Sequence, residues 1–424
     1  MTRILIATDA YPPVCGGSGW STYELVRGLA ARGHAVTVVQ PRPGTAADAR
    51  REYDGIVVQE IAFPAASVPF FRNYVKNERL WPRLASRLRD LARIEQVDIL
   101  HAQHMLTAPA AAEAGRSLEI PVVCTVRDYW PVCYWSTLIH DPESPTLCPA
   151  CTPGMMTRCL RPRTGAAWPM ALPVFPYMRA NLRRKQRALA QADAIVAVSS
   201  VLASDLRARS PELALARIEV IPNPVDVAGL RRGADGASRL MAEPYAVFVG
   251  KLEVNKGANY LLTAVERAAL PWPLVVVGDG SRRTAIEAAA RATGRDVRIL
   301  GWQPRDTALA WLAGAAVLVF PSYGPESLSR VLLEAAALGV PIAAMDTGGT
   351  RDIVRHDQTG LLSTTPQALG DDVARLVADR ALAGRLATAA RAHVEARFDA
   401  RSVVARIEAL YADLLTTERA RRFR

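Results

Sequence analysis

Short apolar runs alternate with longer segments of helical periodicity along most of the chain. The apolar runs are rich in Val, Ile and Leu, which is typical of strands buried on both faces of a parallel sheet. They occur at residues 4–8, 120–126, 194–199, 245–250 and 274–277. Because strands that alternate with helices form parallel sheets, the pattern predicts an α/β protein.

One segment combines a strand, a turn and a helix in a way that suggests a binding site. Residues 315–321 form an apolar run that leads into Pro-Ser-Tyr-Gly-Pro, which cannot continue a central strand. From Ser327 the apolar positions recur at spacings of three and four, which predicts a helix that ends at Gly339. The pattern places Glu326 at the helix start and Glu334 two turns inside it.

The two glutamates allow two interpretations. A carboxylate at each end, with helix N–H groups between them, suits a ligand with hydroxyl groups at both ends and an anionic middle. A nucleoside-diphosphate sugar has this layout. In the alternative interpretation Glu326 only caps the helix, and Glu334 is a solvated or paired side chain.

Length and charge narrow the class of protein. The 424 residues suit two domains, because a single core rarely grows beyond about 250–300 residues. Half of the residues are apolar and 22% are charged, as in globular proteins. The formal net charge of +11 favours anionic partners such as nucleotide phosphates, lipid headgroups or nucleic acid.

The apolar runs predict no membrane span and no signal peptide. No uninterrupted apolar run is long enough for a transmembrane helix, and the opening apolar run is too short for a signal-peptide core. We therefore expect a cytoplasmic protein whose six cysteines are not a disulfide framework.

A glycine-rich loop follows the first predicted strand. Gly16, Gly17 and Gly19 allow the backbone to approach a ligand closely, and Ser21 or Thr22 is expected to cap the next helix. This is a strand, loop and helix of the nucleotide-binding kind, although the full dinucleotide fingerprint is missing. By itself the loop is weak evidence.

Two stretches resemble one enzyme family. The ordered Pro, Glu, Ser and Gly positions at 321–362, and the Tyr-Pro-Pro to Arg-Gly-His pattern at 11–34, resemble the retaining glycosyltransferases of family 4, also called glycosyl transferases group 1. The resemblance implies the GT-B fold, in which two doubly wound Rossmann-like domains face each other across a cleft. It also implies transfer of a sugar from a nucleotide donor to an acceptor bound mainly by the first domain.

The resemblance implies a role for each donor-side residue. Glu326 would bind sugar hydroxyls, Glu334 would bind the ribose, and Lys251 and Lys256 would bind the diphosphate. The other donor-side residues contribute backbone, and they are Gly16, Gly17, Gly278, Leu328 and Ser329. In the family the acceptor attacks on the face that the nucleotide leaves, and the donor phosphate accepts its proton. No cofactor is then needed for catalysis.

The acceptor side departs from the family pattern at one position. Where the family usually has His-Asp, this chain has Arg127 and Asp128. An arginine stays protonated and cannot act as a base, so Arg127 is expected to hold a phosphate or an anionic acceptor. Asp128 remains a candidate for contacting the acceptor. His101 and His104 have no third ligand beside them that would support a metal site. The family also has a histidine at this strand end, so the resemblance implies that these histidines line the cleft.

Cys133, Cys148, Cys151 and Cys159 follow in a turn-rich stretch. Four thiolates that include a Cys-x2-Cys pair suffice for a tetrahedral structural zinc site. Free thiols and a disulfide are the alternatives.

Two segments contain apolar or aromatic residues that suit a contact at the protein surface. The apolar residues 168–178 precede Arg179, Arg183, Arg184, Lys185 and Arg187, a pattern that suits an anionic bilayer surface, or else a packed loop with solvated arginines. The aromatic residues Phe63, Phe70, Phe71, Tyr74 and Trp81 suit an acceptor groove or a membrane surface, or else an ordinary core.

The expected domain plan has four parts. These are a first domain at 1–222 with a Cys-rich insert at about 133–160, a linker at 223–240, a nucleotide-sugar domain at 241–400, and a segment at 401–424. By family analogy the last segment is a helix that crosses back to the first domain, and it ends in a basic tail.

The leading hypothesis is therefore a retaining glycosyltransferase that uses a nucleoside-diphosphate sugar. The acceptor is expected to be a lipid-linked or cell-surface glycan precursor, at a peripheral position on an anionic membrane. An epimerase or phosphorylase of the same fold is one alternative. A zinc- and nucleic-acid-binding protein is another, although no regular basic and aromatic recognition module supports it.

Overall fold

A computed structural model describes residues 1–64, 74–141, 147–236 and 240–422. Phe70 and Phe71 of the aromatic segment lie outside these ranges, as does Arg424 of the basic tail. The chain forms two compact units. Unit 1 comprises residues 1–136, 173–224 and 400–424, and unit 2 comprises residues 137–172 and 225–399.

Strands and helices alternate along the chain. The strands are Arg3–Ala7 (β1), Ala35–Pro43 (β2), Ala49–Tyr53 (β3), Ile56–Phe63 (β4), Ile99–Ala102 (β5), Val122–Val126 (β6), Ala194–Ala197 (β7), Ile218–Val220 (β8), Ala246–Val249 (β9), Leu274–Val277 (β10), Val297–Gly301 (β11), Val317–Phe320 (β12), Ile342–Met345 (β13) and Leu361–Ser363 (β14).

The helices follow the same order. They are Gly17–Ala31 (α1), Trp81–Ile94 (α2), Ala108–Leu118 (α3), Pro153–Thr164 (α4), Val174–Ala190 (α5), Ser200–Arg209 (α6), Val227–Asp235 (α7), Ala258–Arg267 (α8), Arg283–Thr293 (α9), Arg305–Ala313 (α10), Arg330–Leu338 (α11), Thr350–Ile353 (α12), Pro366–Ala378 (α13), Arg380–Phe398 (α14) and Ala400–Arg422 (α15).

Unit 1 contains an eight-stranded sheet in the order β3-β4-β2-β1-β5-β6-β7-β8. Its described strand pairs are parallel except for β3 and β4. The central strands are fully buried, because helices that connect parallel strands cover both faces of the sheet. This is the doubly wound arrangement predicted for the first half.

The C-terminal helix α15 closes the core of unit 1. Val404, Ile407 and Tyr411 pack with apolar residues of α1 and of the sheet. Gly28 of α1 permits this close approach, because a Cβ atom there would lie 2.6 Å from Cγ2 of Val404. The helix continues to Arg422.

Unit 2 contains a six-stranded parallel sheet in the order β11-β10-β9-β12-β13-β14. Its core combines Val276 and Val319 from the strands with Leu261 and Val373 from helices on one face. The two parallel sheets confirm the predicted α/β class.

Three local expectations are wrong. Val227–Asp235 forms a helix of unit 2, capped by the Asp226 side chain, where a linker was expected. The helix after Glu326 begins at Arg330 rather than Ser327. Gly16 is the N-cap of α1, and Ser21 lies inside that helix, so its hydroxyl donates to the Gly17 carbonyl instead of capping.

A glycine pair tests the packing of α15. Gly28→Ala should lower the free energy of unfolding by about 1–3 kcal/mol, because the new methyl group overlaps Val404. The matched control Gly233→Ala, at an exposed position in α7 with open space around it, should raise that free energy by about 0.5–1 kcal/mol. Urea denaturation of both variants measures the difference. Equal effects would contradict the close contact between α1 and α15.

Candidate functional site

The strand order of unit 2 reverses between β9 and β12. In doubly wound sheets ligands bind at the carboxyl ends of the strands on either side of such a reversal. The loop after β9 carries Lys251 and Lys256, and the loop after β12 carries Ser322 and Glu326. The topology therefore brings the predicted diphosphate-binding and sugar-binding residues to one edge of the sheet.

Gly257 fixes the contact between these two loops. Its φ is +71°, and a Cβ atom at this position would lie 1.9 Å from the Pro321 carbonyl oxygen. A residue with a side chain would therefore push the loops apart. The contact places Lys256 beside Glu326, with 2.6 Å between Nζ and Oε1.

Glu326 is held on its side chain and on its backbone. The Ser322 hydroxyl donates to Glu326 Oε1 at 2.5 Å, and the Gly349 N–H donates to the Glu326 carbonyl at 2.6 Å. Gly348 is needed for this turn, since a Cβ atom there would lie 2.2 Å from the same carbonyl. Glu326 thus lies in a rigid loop before the helix, rather than capping it.

Leu328 and Ser329 lead directly into α11. Both are largely buried, and Ser329 is the N-cap residue of the helix. Its side chain makes no capping hydrogen bond within the described structure. The first-turn N–H groups of α11 are therefore not capped by this hydroxyl, and a helix N-terminus of this kind favours anions.

Glu334 is a buried, paired carboxylate. Its side chain is 8% exposed, and Arg305 Nη1 and Arg330 Nε each lie 2.8 Å from Oε1. The pairing matches the alternative interpretation of Glu334, and the ribose-binding role stays a prediction. The Arg330 contact has the i,i+4 spacing of helical ion pairs and was visible in the sequence, whereas the Arg305 contact depends on the packing of α10 on α11.

Gly278 and Lys251 shape the neighbouring part of the same edge. A Cβ atom on Gly278 would lie 1.9 Å from the Gly250 carbonyl oxygen, so the ends of β9 and β10 meet backbone to backbone. Lys251 follows Gly250 directly, and its side chain is exposed. It can therefore meet a ligand at this edge.

Three titratable side chains meet at the carboxyl edge of unit 1. His104 Nε2 contacts Asp128 Oδ2 at 2.8 Å, and His104 Nδ1 lies 3.8 Å from Asp9 Oδ2. Burial alone would lower the pKa of His104, but Asp9 and Asp128 raise it to about 9. The Leu106 N–H points at Nδ1 from 3.1 Å. Only the neutral ring accepts this bond, so protonation exchanges it for the attraction of Asp9.

Asp128 is also fixed from its own loop. The Trp130 N–H donates to Asp128 Oδ1 at 2.8 Å. Burial would raise the pKa of Asp128, but His104, the Trp130 N–H and Lys185 hold it below its usual range. Asp128 is therefore an ionised hydrogen-bond acceptor at neutral pH. Asp9 is the third member of the group formed with His104 and Asp128, and its position just after the first strand was the signal for it in the sequence.

Arg127 is buried among hydrogen-bond acceptors of unit 1. Its Nε donates to Asn223 Oδ1, its Nη1 donates to Thr22 Oγ1, and its Nη2 donates to Gln103 Oε1 at 2.5 Å. These bonds link the residue after β6 to Thr22 of α1 and to Asn223 after β8. The arrangement positions elements, and the predicted contact with an anionic ligand remains a prediction.

His101, which was expected to line the cleft, lies in the interior of unit 1. It is fully buried, and its ring contacts the hydroxyls of Tyr411 at 2.5 Å and Thr125 at 2.7 Å. Burial and the nearby Arg127 lower its pKa to about 3, so the ring is neutral. His101 thus links the sheet to α15, and His104 is the histidine at the open edge.

Gly16 and Gly17 form the start of α1. Space is open around Gly16, with no described atom within 4 Å of a Cβ built there, and Gly17 is exposed. Gly16 and Gly17 therefore present backbone without side chains, as expected for a loop that approaches a ligand. Its contact with the donor stays a prediction.

The cysteine-rich stretch shows no metal geometry. All six cysteines lie in the described ranges, and no disulfide links any of them. Within those ranges no group of three or more His, Cys, Asp or Glu side chains is arranged to hold a metal ion. The zinc hypothesis for Cys133, Cys148, Cys151 and Cys159 stays a prediction.

The apolar and basic segment is partly exposed. Met170 is 84% exposed, and Arg183 and Arg187 are exposed, whereas Lys185 is fully buried. Lys185 therefore does not share the exposed position of Arg183 and Arg187, with which the sequence grouped it. Among the described helices, none has the length and apolar character that a bilayer crossing requires.

Family models match both halves of the chain. The model described as Glycosyltransferase Family 4 matches residues 15–228, and the model described as Glycosyl transferases group 1 matches residues 243–379. The first match alone covers half of the chain.

Two curated relatives align over nearly the full length. The chain is 26% identical to a glycogen synthase of Mycobacterium tuberculosis, over 96% of this chain and 94% of that protein. It is also 26% identical to a GDP-mannose-dependent alpha-(1-6)-phosphatidylinositol monomannoside mannosyltransferase of the same species, over 94% of this chain and 95% of that protein.

Solved structures show the same fold. Sucrose-phosphate synthase from Thermosynechococcus elongatus superposes with a TM-score of 0.71 at 19% identity, over 98% of this chain and 100% of that chain. Anabaena HepE, solved in complex with UDP-glucose, superposes with a TM-score of 0.63 at 18% identity, over 97% and 100%. The two Rossmann-like units are those of the GT-B architecture.

The ion pair at His104 predicts a pH-dependent stability. Because the folded pKa of about 9 exceeds the ordinary 6.5, the stabilisation is complete below pH 6.5 and is lost as the pH rises through 9. Relative to His104→Gln, the native chain should lose on the order of 3 kcal/mol of unfolding free energy between pH 6 and pH 10. Denaturation of both chains across this range measures it, and a difference that does not vary with pH would exclude the charged pair.

Proposed function

The chain belongs to glycosyltransferase family 4, and on that premise we propose that it moves a hexosyl group from a nucleoside-diphosphate sugar to a glycan acceptor with retention of configuration. Membership in the family makes the chain a glycosyltransferase with the GT-B fold. The donor class, the stereochemistry and the acceptor are the proposed parts.

The observation that carries the proposal is the Lys256 and Glu326 pair at the strand reversal of unit 2. The pair brings a cation and a carboxylate together at the edge where doubly wound sheets bind nucleotides. The N-terminus of α11 begins four residues after Glu326. The cation and the N–H groups can bind a diphosphate, and the carboxylate can accept hydrogen bonds from sugar hydroxyls.

In the proposed complex, a phosphate of the donor replaces Glu326 as the partner of Lys256. In the structure Nζ neutralises Glu326, and a donor diphosphate offers the ammonium a stronger negative charge. Glu326, still held by Ser322, then accepts hydrogen bonds from sugar hydroxyls. Lys251 is exposed in the same segment after β9, and it supplies the second cation.

The proposed reaction breaks one bond and forms one. The acceptor oxygen bonds to the anomeric carbon, and the bond from that carbon to the phosphate oxygen breaks with both electrons going to the phosphate. The acceptor proton passes to the same phosphate oxygen, which lies on the face of attack. Lys251, Lys256 and the α11 N–H groups stabilise the charge that develops on the departing diphosphate.

Unit 1 supplies the proposed acceptor side. Asp128 is ionised and fixed by His104 and by the Trp130 N–H, so it can accept a hydrogen bond from an acceptor hydroxyl. Arg127 holds the loop that carries Asp128. We expect these residues to orient the acceptor and not to remove its proton.

A lipid-linked or polysaccharide precursor is the proposed acceptor class. Relatives named for phosphatidylinositol mannoside and teichuronic acid synthesis support a glycan acceptor. Arg183 and Arg187, both exposed in α5 of unit 1, support a peripheral contact with an anionic membrane.

Calorimetric titration of the full chain with UDP-, GDP- and ADP-sugars tests the donor class. At least one of them should bind, and Lys256→Ala should weaken its affinity about tenfold to hundredfold, as expected for a lost charged hydrogen bond. Arg291→Ala, which removes an exposed cation from α9 of the same unit, is the matched control and should leave the affinity unchanged.

Two outcomes would contradict the proposed donor site. One is that no nucleotide sugar binds at millimolar concentration. The other is that Lys256→Ala and Arg291→Ala have equal effects. Release of nucleoside diphosphate only in the presence of an acceptor would further separate a transferase from an epimerase.

A further inference from the structure

One face of α5 carries polar side chains into the interior of unit 1. Tyr177, Asn181 and Lys185 are spaced four residues apart and form a stripe along the helix. Met178, Leu182 and Leu189 lie close to this stripe and are buried. A lysine and an asparagine therefore occupy positions where an amphipathic helix normally carries apolar residues.

Lys185 is a buried amine beside an aromatic ring, without a hydrogen bond to any described residue. Its residue is 0% exposed, and within the described structure no acceptor lies within hydrogen-bond distance of Nζ. Nζ lies 4.2 Å from the centroid of the Trp130 ring and 5.6 Å from that of Tyr134. The ring face attracts the ammonium, but three N–H donors are left unsatisfied.

Two more polar groups beside Lys185 lack partners. Asn181 is 1% exposed, and neither its Nδ2 nor its Oδ1 has a hydrogen-bond partner among the described residues. The same holds for the hydroxyl of Tyr134. Tyr134 contacts Tyr177 at one end of the stripe, with 6.5 Å between ring centroids, and lies near Lys185 at the other end. Asn181 lies between these two contacts.

The three groups form one cluster of hydrogen-bond donors, which we call the Lys185 pocket, defined by Tyr134, Asn181 and Lys185. Buried polar groups in folded proteins are almost always paired, and an unpaired buried charge is strongly destabilising. Burial lowers the pKa of Lys185 to about 7, although Asp128 and Cys133 act to raise it. A cluster of this kind marks a candidate ligand site.

The Lys185 pocket adjoins the acceptor side of unit 1. The Trp130 ring lies under Nζ of Lys185 and contacts the His104 ring, with 5.6 Å between centroids. The backbone N–H of Trp130 binds Asp128. A group in the pocket would therefore be separated by one tryptophan from the residues proposed to orient the acceptor.

We propose that the Lys185 pocket binds a negatively charged carboxylate or phosphate group carried by the sugar acceptor. The proposal rests on the proposed glycosyltransfer and identifies its acceptor as an anionic glycan. The ammonium supplies charge, and the amide N–H and phenol O–H supply directed donors, which together match the oxygens of an anion. A neutral sugar would leave the buried charge of Lys185 unbalanced.

Entry requires a local displacement. Because Lys185 has no exposed surface, an anion reaches Nζ only when Trp130 or Tyr134 turns aside. Both residues belong to the chain segment after β6 rather than to a strand or helix, so their side chains can move without breaking the sheet.

Titration of the full chain with glucuronate, glucose 6-phosphate and glucose tests the proposal. At least one anionic sugar should bind at least tenfold more tightly than glucose, and the tighter of the two identifies the charged group. Lys185→Met, which keeps the length of the side chain, should abolish this preference. Arg183→Met, on the exposed face of the same helix, should retain it.

A stability measurement separates a binding role from a structural one. Lys185→Met removes a buried amine that has no hydrogen bond within the described structure, and it should raise the thermal unfolding midpoint of the chain while it abolishes anion binding. A lysine retained for structure would show the reverse, with a lower midpoint and unchanged binding. Tyr134→Phe removes only the hydroxyl and should weaken anion binding several-fold, which keeps the test open if Lys185→Met does not fold.

Each titration is repeated in the Lys256→Ala chain, so that binding at the proposed donor site is not counted. Binding of the sugars to the Lys185 pocket is measured without a nucleotide sugar. Failure of nucleotide-sugar binding would therefore overturn the proposed function and leave the anion measurement valid. The pocket proposal is overturned if neither anionic sugar binds more tightly than glucose. It is also overturned if Lys185→Met and Arg183→Met behave alike.

Discussion

The backbone contact between Gly257 and Pro321 is the constraint on which the candidate donor site depends. It allows the loops after β9 and β12 to touch at the strand reversal of unit 2. Without that approach Lys256 would not reach Glu326. The groups proposed to bind the diphosphate and the sugar would then lie too far apart for one donor molecule. A second glycine, Gly348, repeats the device on the other side of Glu326. The positions of Lys256 and Glu326 therefore depend on two glycines, Gly257 and Gly348, where a side chain would not fit.

Charge compensation distinguishes the groups that hold structure from those available to a ligand. Glu334 is neutralised by two arginines in the interior of unit 2 and needs no ligand to remain buried. Among the described residues Glu326 has one cation partner, Lys256, which a diphosphate can attract away. In unit 1 the balance is incomplete at Lys185, whose ammonium has a π face instead of a carboxylate at contact distance. This difference in compensation is the physical basis for both proposals.

Periodicity and the family resemblance were sufficient for the two parallel sheets, whereas the ion pair between Lys256 and Glu326 was not predicted. They failed where long-range packing decides the environment. Lys185 was grouped with solvated arginines, although its spacing from buried Met178 and Leu182 was a usable signal. His101 could not be separated from His104 by sequence, because only the docking of α15 buries one of them. The helix at Val227–Asp235 was missed because its glycines and charges are typical of a linker.

The most direct test of the account is a crystal structure of the full chain with the nucleoside-diphosphate sugar that it binds most tightly. The account predicts that Nζ of Lys256 lies within about 3.2 Å of a diphosphate oxygen. It also predicts that Glu326 accepts hydrogen bonds from the sugar hydroxyls and that the diphosphate lies at the N-terminus of α11. A donor bound elsewhere, with Lys256 still paired to Glu326, would contradict the central claim.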